Sequence, residues 1–270
     1  MAIRSLSYFS LCYPCQVPDI TVSVIRLYDG KANRIKLGDD MNILSFDTTL
    51  NRCSVAVLTD DQVLAHRFEA LQRGHAEALM PMVSAALDDA GLAFPDINLV
   101  AVTTGPGTFT GQRVGLSAAR GFGVAQSLPV QGVGSLPAIA LAARQDGCET
   151  DILVVLDARR GQYYVQNFAA EQSICLSGTA PLAIETAELA KYLPAGPCTI
   201  VGTGVTMVQE MSDLDKDHIS FSTSGPEADA IAVARLARDI VACDGMPEEP
   251  PAPLYLRAPD AKLPGGKSLP

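Results

Sequence analysis

The 270-residue chain has no tryptophan, three histidines, and aromatic residues at only 6%. Charged residues are scarce too, at 19% against about 25% in an average globular protein. Each shortage excludes something. Of the three histidines, His66, His75 and His218, only His75 opens a helix pattern, and a metal pair there needs a second ligand one turn on. Position 79 is Leu, which argues against a His-based metal centre. Basic residues are outnumbered 20 to 30, giving net −10. Phosphate neutralisation supplies most nucleic-acid affinity, so this balance argues against a chain that grips nucleic acid by itself. No apolar run approaches the ~20 residues that span a bilayer, and the first 40 residues hold no signal-peptide core. The expectation is a cytoplasmic protein with no membrane partner. Cysteines number seven, an odd count; Cys53, Cys148, Cys175, Cys198 and Cys243 stand singly among apolar neighbours, as reduced thiols do. Cys12-x-x-Cys15 lacks the two further ligands of a zinc site and the strand and helix of a redox pair.

What is present is apolar material, 48% of the chain, enough for one large core or two modest ones. Residues 1–40 differ from the rest and end in the turn-rich Lys36–Asp40 before Met41, so they read as an extension, disordered or outside the natural start. From Met41 three short strands are expected: Ile43–Phe46, Cys53–Leu58 and Val63–Phe68. A helix follows over His75–Ala90, from Leu79, Met82, Val83, Ala86 and Leu87 at helical spacing, closed by Gly91 and bent by Pro81. Ile97–Val102 is a strand buried on both faces, with a helix after it from about Thr110 to Gln126 and a short one over Leu136–Arg144. The order then repeats: Ile152–Leu156, Gln162–Phe168, a weaker strand near Ile174, a helix from Thr186, Thr199–Val201, and a last helix capped by Ser224. The fold class read from this is α/β with duplicated βββαβα lobes, 41–145 and 146–246, and a Pro-rich extended tail, 247–270. That plan belongs to actin-like, RNase H-like folds, with Asp47 and Asp157 at equivalent strand corners.

Thr103–Gly111, Thr-Thr-Gly-Pro-Gly-Thr-Phe-Thr-Gly, joins a buried strand to a helix. Free amides there could hold a phosphate, but no Lys follows the glycines as a Walker loop requires. Tight turning and close helix approach are the preferred explanation. Gly111, Gly115, Ala119 and Gly123 recur every four residues, a bare face that expects a closely packed neighbour: the His75–Ala90 helix, a second polypeptide, or both. Asp47, Thr48, Gly105 and Gly107 are the candidate nucleotide contacts, although Asp at a strand end most often caps a turn. Arg113, Arg120, Arg159 and Arg160 are expected as solvated surface. No Ser/His/Asp set and no nucleophile elbow appears.

Met41-Asn-Ile-Leu-Ser-Phe-Asp-Thr-Thr49, His75-Ala-Glu-Ala-Leu-Met-Pro81, Thr104-Gly-Pro-Gly-Thr-Phe-Thr-Gly-Gln-Arg-Val-Gly115, Asp157-Ala-Arg-Arg-Gly-Gln-Tyr163 and Pro253-Leu-Tyr-Leu-Arg257 together resemble the TsaB (formerly YeaZ) family over residues 41 to about 260. The resemblance implies an actin-like fold and a place in the bacterial machinery that makes threonylcarbamoyladenosine beside the tRNA anticodon. It implies a non-catalytic subunit that pairs with the paralogue TsaD, carrier of a metal-binding His-x-x-x-His helix, with the ATPase TsaE joining them. It implies no catalytic residue and no metal in this chain, and tRNA contact only through the complex; a separate reading is a self-associating module, a homodimer when alone, that uses the same helix surface between two identical chains. Carried onto this sequence, the partner surface is His75, Leu79, Met82, Val83, Gly111, Gly115 and Ala119. No cofactor is expected, save ATP or ADP in the lobe cleft or at the partner interface. The alternative is an ATP-dependent kinase, hydrolase or metallopeptidase of the same fold.

Overall fold

The structure, a computed structural model, describes residues 27–28, 31–32, 40–170, 178–211 and 217–257. Met1–Asp40 and Met41–Pro270 are separate compact units. In the first, Leu27–Tyr28 pairs antiparallel with Lys31–Ala32; Cys12 and Cys15 lie outside the described residues.

The second unit holds two five-stranded sheets. The first contains β1 (Asn42–Asp47), β2 (Arg52–Thr59), β3 (Gln62–Ala70), β4 (Leu99–Gly105) and β5 (Val130–Gly134). The second contains β6 (Asp151–Arg159), β7 (Gln162–Phe168), β8 (Leu182–Glu185), β9 (Cys198–Val201) and β10 (Ile219–Phe221). Strand order is β3-β2-β1-β4-β5 in one and β8-β7-β6-β9-β10 in the other, the same topology twice. In each, the first three strands run antiparallel and the last two join parallel to the first. The expected repeat is therefore present, with one correction: each lobe has a fifth strand, β5 or β10, that the βββαβα reading omitted. The third strand of the second sheet is β8; the strand expected near Ile174 lies outside the described residues.

Helices α1 (His75–Ala90), α2 (Phe109–Gln126), α3 (Ser135–Gln145), α4 (Val205–Glu210) and α5 (Ala230–Asp244) complete the unit. Residues Thr186–Tyr192 form a 3-10 helix instead of an α-helix. Helix α5 begins later than expected, capped by Asp229, whose carboxylate accepts the Ile231 amide at 3.0 Å, and not by Ser224. Alternation along the strands sets the layers. Leu44 and Phe46 of β1 pack with Leu79, Val83, Leu116 and Ala119 of α1 and α2. Ile43 joins Leu136, Ile139, Val233 and Leu236 of α3 and α5, and so do Ile152, Val154 and Leu156 of β6. Helices α3 and α5 are thus sandwiched between the sheets, which explains why β1, β4 and β6 are apolar on both faces. The outer face of the second sheet is covered by Leu189 and Val208.

Two buried hydroxyls fix the start of α5 against the first sheet. Ser45 donates to the Ala230 carbonyl at 2.7 Å, and Ser54 accepts the Ala230 amide at 3.0 Å. Removing Ser54 Oγ leaves that amide buried without a partner, which costs about 1–3 kcal/mol. We expect Ser54→Ala to lose that much in urea unfolding; an unchanged midpoint and slope would show that α5 docks by apolar packing alone.

Candidate functional site

The carboxyl end of β1 carries the first candidate cluster. Asp47 is wholly buried. Its Oδ1 accepts the Thr103 hydroxyl at 2.5 Å, the Thr49 hydroxyl at 2.6 Å and the Thr49 amide at 3.2 Å, while Oδ2 has no hydrogen-bond partner. Burial pushes the carboxyl up to about 6, the two threonine hydroxyls pull the other way, and Glu227 adds to the rise. The loop that follows β4 is packed down beside this corner. A Cβ on Gly107 would stand 2.5 Å from the Thr49 carbonyl oxygen, and one on Gly105 would run into the Gln112 side chain. Gly105 also holds φ +110, open to glycine alone. Asp47 and Thr48 end β1 at this corner, Gly107 packs on Thr49 above them, and Gly105 packs on Gln112 and Leu254.

The bare face of α2 closes the same corner. A Cβ on Gly111 would collide with the Thr48 carbonyl oxygen, and one on Gly115 would sit 2.7 Å from Thr48 Oγ1. Thr48 donates that hydroxyl to the Gly111 carbonyl at 2.7 Å. Gly123 is needed against Val130 at 2.8 Å. The neighbour that the small-residue face anticipated is therefore the chain's own Thr48 corner and β5. This corrects the partner surface proposed from sequence. Leu79, Val83 and Ala119 are buried in the first-lobe core, and Gly111 and Gly115 against Thr48. Of the seven residues only His75 and Met82 are part-exposed; His75 follows the left-handed Gly74, and its Nε2 is buried without a partner. The exposed residues of α1 include Glu77, Met80, Pro81, Ser84, Asp88 and Asp89, and those of α2 include Phe109, Thr110, Arg113, Ser117, Arg120, Gly121 and Val124.

Gly121 stands apart from the other α2 glycines. A Cβ there would meet nothing within 4 Å, so no internal contact requires it, although glycine costs about 1 kcal/mol against alanine in a helix interior. Beside it Val124 is 86% exposed. Between the charged residues of α1 and α2, Met80, Ser84, Ser117, Gly121 and Val124 thus expose small or apolar side chains, and at Gly121 no internal contact asks for one.

Residues Pro247–Arg257 cross α2 as an irregular strap. The Leu254 amide donates to the Thr104 carbonyl at 2.9 Å, Arg120 to the Pro251 carbonyl at 2.7 Å, and Arg113 to the Tyr255 hydroxyl at 3.0 Å. Arg113 lies 3.6 Å over the Phe109 ring, which stacks on Tyr255. At its end Arg257 donates to the Ala158 carbonyl of β6 at 2.9 Å. Sequence alone gave Arg113 and Arg120 no such use.

At the corresponding corner of the second lobe Asp157 is exposed and caps its turn, accepting the Arg159 amide at 2.7 Å, while its own amide donates to Thr203 Oγ1 at 2.9 Å. Here the strand ends leave an open cleft of about 340 Å³, lined by Gly202, Thr203, Val205, Thr206, Ser222, Ser224 and Pro226. It offers hydroxyls and no charge. Its only sequence signal was the glycine pair after β9. Among the described residues no group of three or more His, Cys, Asp or Glu could hold a metal ion, and no helix is long and apolar enough to cross a membrane.

A family model described as TsaD, tRNA N6-adenosine threonylcarbamoyltransferase, matches residues 63–244. The tRNA threonylcarbamoyladenosine biosynthesis protein TsaB of Escherichia coli is 34% identical over 180 residues, 66% of this chain and 76% of that protein. The protein of the same name from Bacillus subtilis is 35% identical over 125 residues, 46% of this chain and 53% of its own length. A solved structure of YeaZ from Pseudomonas aeruginosa superposes with TM-score 0.69 at 28% identity, covering 80% of this chain and all of that one, 100%.

The Asp47 environment makes a pH prediction. Its folded value, about 6, stands above the ordinary carboxyl value of 3.8, so the stabilisation is complete below that unfolded value and is lost as pH rises through about 6. The loss is about 3 kcal/mol at most. Asp47→Asn, which copies the protonated form, should be more stable than the wild type at pH 8 and no more stable at pH 4. Equal gains at both pH values would mean that the carboxylate titrates as an exposed one does.

Proposed function

The chain belongs to the TsaB (YeaZ) family, and we propose that it serves threonylcarbamoyladenosine formation in tRNA as a non-catalytic subunit that binds and activates TsaD. The observation that carries this is the state of the β1 corner. Where an enzyme of this architecture needs an open crevice at its strand ends, Asp47, Thr48 and the Gly105–Gly111 loop fill one another's space. His75 has Leu, buried in the core, at the position of a second metal ligand, so the helix that would carry metal chemistry cannot. The reading assigns Asp47, Thr48, Gly105 and Gly107 a structural duty and places no cofactor on them. TsaE joins through the assembled pair, and tRNA is met in that assembly.

The docking surface of this proposal is the outer face of α1 and α2, centred on Met80, Ser84, Ser117, Gly121 and Val124. Small residues there let another helix approach closely, and the exposed Met and Val supply the apolar area. The same surface, used between two identical chains, gives a homodimer when TsaD is absent. His75 and Met82 stand at its edge.

The substitutions Gly121→Trp and Ala119→Trp separate this surface from the buried one. Gly121→Trp adds its ring in open space, so the fold should keep its melting temperature within a degree or two while affinity for TsaD, measured by light-scattering chromatography and titration, falls at least about 10-fold, or about 1.4 kcal/mol. Ala119→Trp overfills the core, and overpacking costs about 1–3 kcal/mol of stability. Full-strength TsaD binding by a folded Gly121→Trp chain would remove this surface from the proposal.

A further inference from the structure

Helix α2 presents two exposed stripes side by side. Thr110, Ser117 and Gly121 belong to the docking surface above; Phe109, Arg113 and Arg120, at i, i+4 and i+11, face the strap. This second stripe is unusual for so acidic a chain. Arg52, Arg67, Arg235 and Arg238 each end on a carboxylate. Arg113 and Arg120 end on a phenol and a carbonyl instead, so their charge is not cancelled. The first turn of α2 holds no acidic residue either, and its amide ends add positive potential.

Flat apolar surface lies in the same place. Phe109 is 54% and Tyr255 44% exposed, stacked at 5.6 Å between ring centres, with the Arg113 guanidinium laid on the Phe109 ring. The Arg257 bond to Ala158 brings the strap's end beside the exposed Arg159 and Arg160. The strap's acidic residues, Glu248 and Glu249, lie at its other end, before Pro250.

Uncancelled guanidinium groups suit phosphate oxygens, and exposed rings suit nucleobases, each stack being sequence-tolerant. An acidic peptide would use the arginines and leave the rings idle. We propose that the Phe109–Arg113–Tyr255 platform, with Arg120 and Arg159 flanking it, contacts single-stranded RNA, the looped arm of the tRNA whose adenosine is modified. The inference rests on the tRNA-modification reading and adds to it a direct RNA contact on a subunit whose overall charge argues against one. The acidity of the rest of the chain keeps the contact weak unless another subunit holds the RNA as well.

The test uses the full chain in its complex with TsaD and a fluorescein-labelled anticodon stem-loop RNA, followed by anisotropy over a range of salt. The double substitution Arg113→Gln, Arg120→Gln should raise Kd about 10-fold and flatten the slope of log K against log salt by about 1.4, two phosphates at about 0.7 each. Tyr255→Leu keeps apolar contact but removes the flat ring; Kd should rise about 5-fold with the slope unchanged. Arg159→Gln lies outside the strap and reads the charge without loosening it, with a slope change of about 0.7. Unchanged Kd and slope in complexes that form normally would overturn the platform while leaving the partner reading intact. Polyglutamate competing as well as single-stranded RNA would also overturn it, in favour of an acidic protein. Failure of the wild-type chain to form the complex would overturn both.

Discussion

Thr48, at the end of β1, meets the first two turns of α2 so closely that no side chain fits between them. Glycine at 111 and 115 lets the helix settle onto the Thr48 carbonyl and hydroxyl, and much else follows from that distance. It draws the Gly105–Gly107 loop down on Thr49, seals Asp47 beneath it, and sets the angle at which α2 leaves the sheet. That angle decides which residues of α2 face inward, toward Phe46 and Val102, and which face outward beside α1. A single steric constraint therefore packs the β1 corner and sets which residues of α2 are exposed.

The internal repeat makes the effect of this constraint visible. Both sheets have the same strand order, and both put an aspartate at the end of their first strand. In the second lobe Gly202 and Gly204 let the loop after β9 lie against Val155, yet the space outside the strand ends stays open and Asp157 stays in water. One topology therefore supports a plugged corner and an open one, and the difference lies in the α2 contact, not in the sheet. Function follows the site and not the fold.

The parts of this account legible in the sequence were those with a local signal. Helix α1 is marked by Leu79, Val83, Ala86 and Leu87 and by Gly91 in the left-handed conformation at its end, φ 67. Strands β1, β4 and β6 announce burial on both faces by unbroken apolar runs. Strand β5 escaped because only Val130 and Val133 of Val-Gln-Gly-Val-Gly are buried at the sheet edge, and β10 because three residues carry no period. The spacing of Gly111, Gly115, Ala119 and Gly123 showed that something packs closely there, but spacing does not say what. The occupant, Thr48, is 63 residues from Gly111 along the chain. Gly121, outside that register, carries the partner argument only once the three-dimensional space around each glycine is known. The strap was legible as an extended proline-rich tail; its grip on Arg113 and Arg120 runs through carbonyls and one phenol, groups that leave no pattern in sequence.

The claim on which the rest depends is that this chain assists the chemistry without performing it. The most direct test is a threonylcarbamoyl-transfer assay on unmodified tRNA with TsaD, TsaE and this chain, each protein left out in turn. The account predicts transfer only when this chain is present, and none from this chain without TsaD. Transfer that proceeds at the full rate without this chain, or that this chain supports alone, would contradict it.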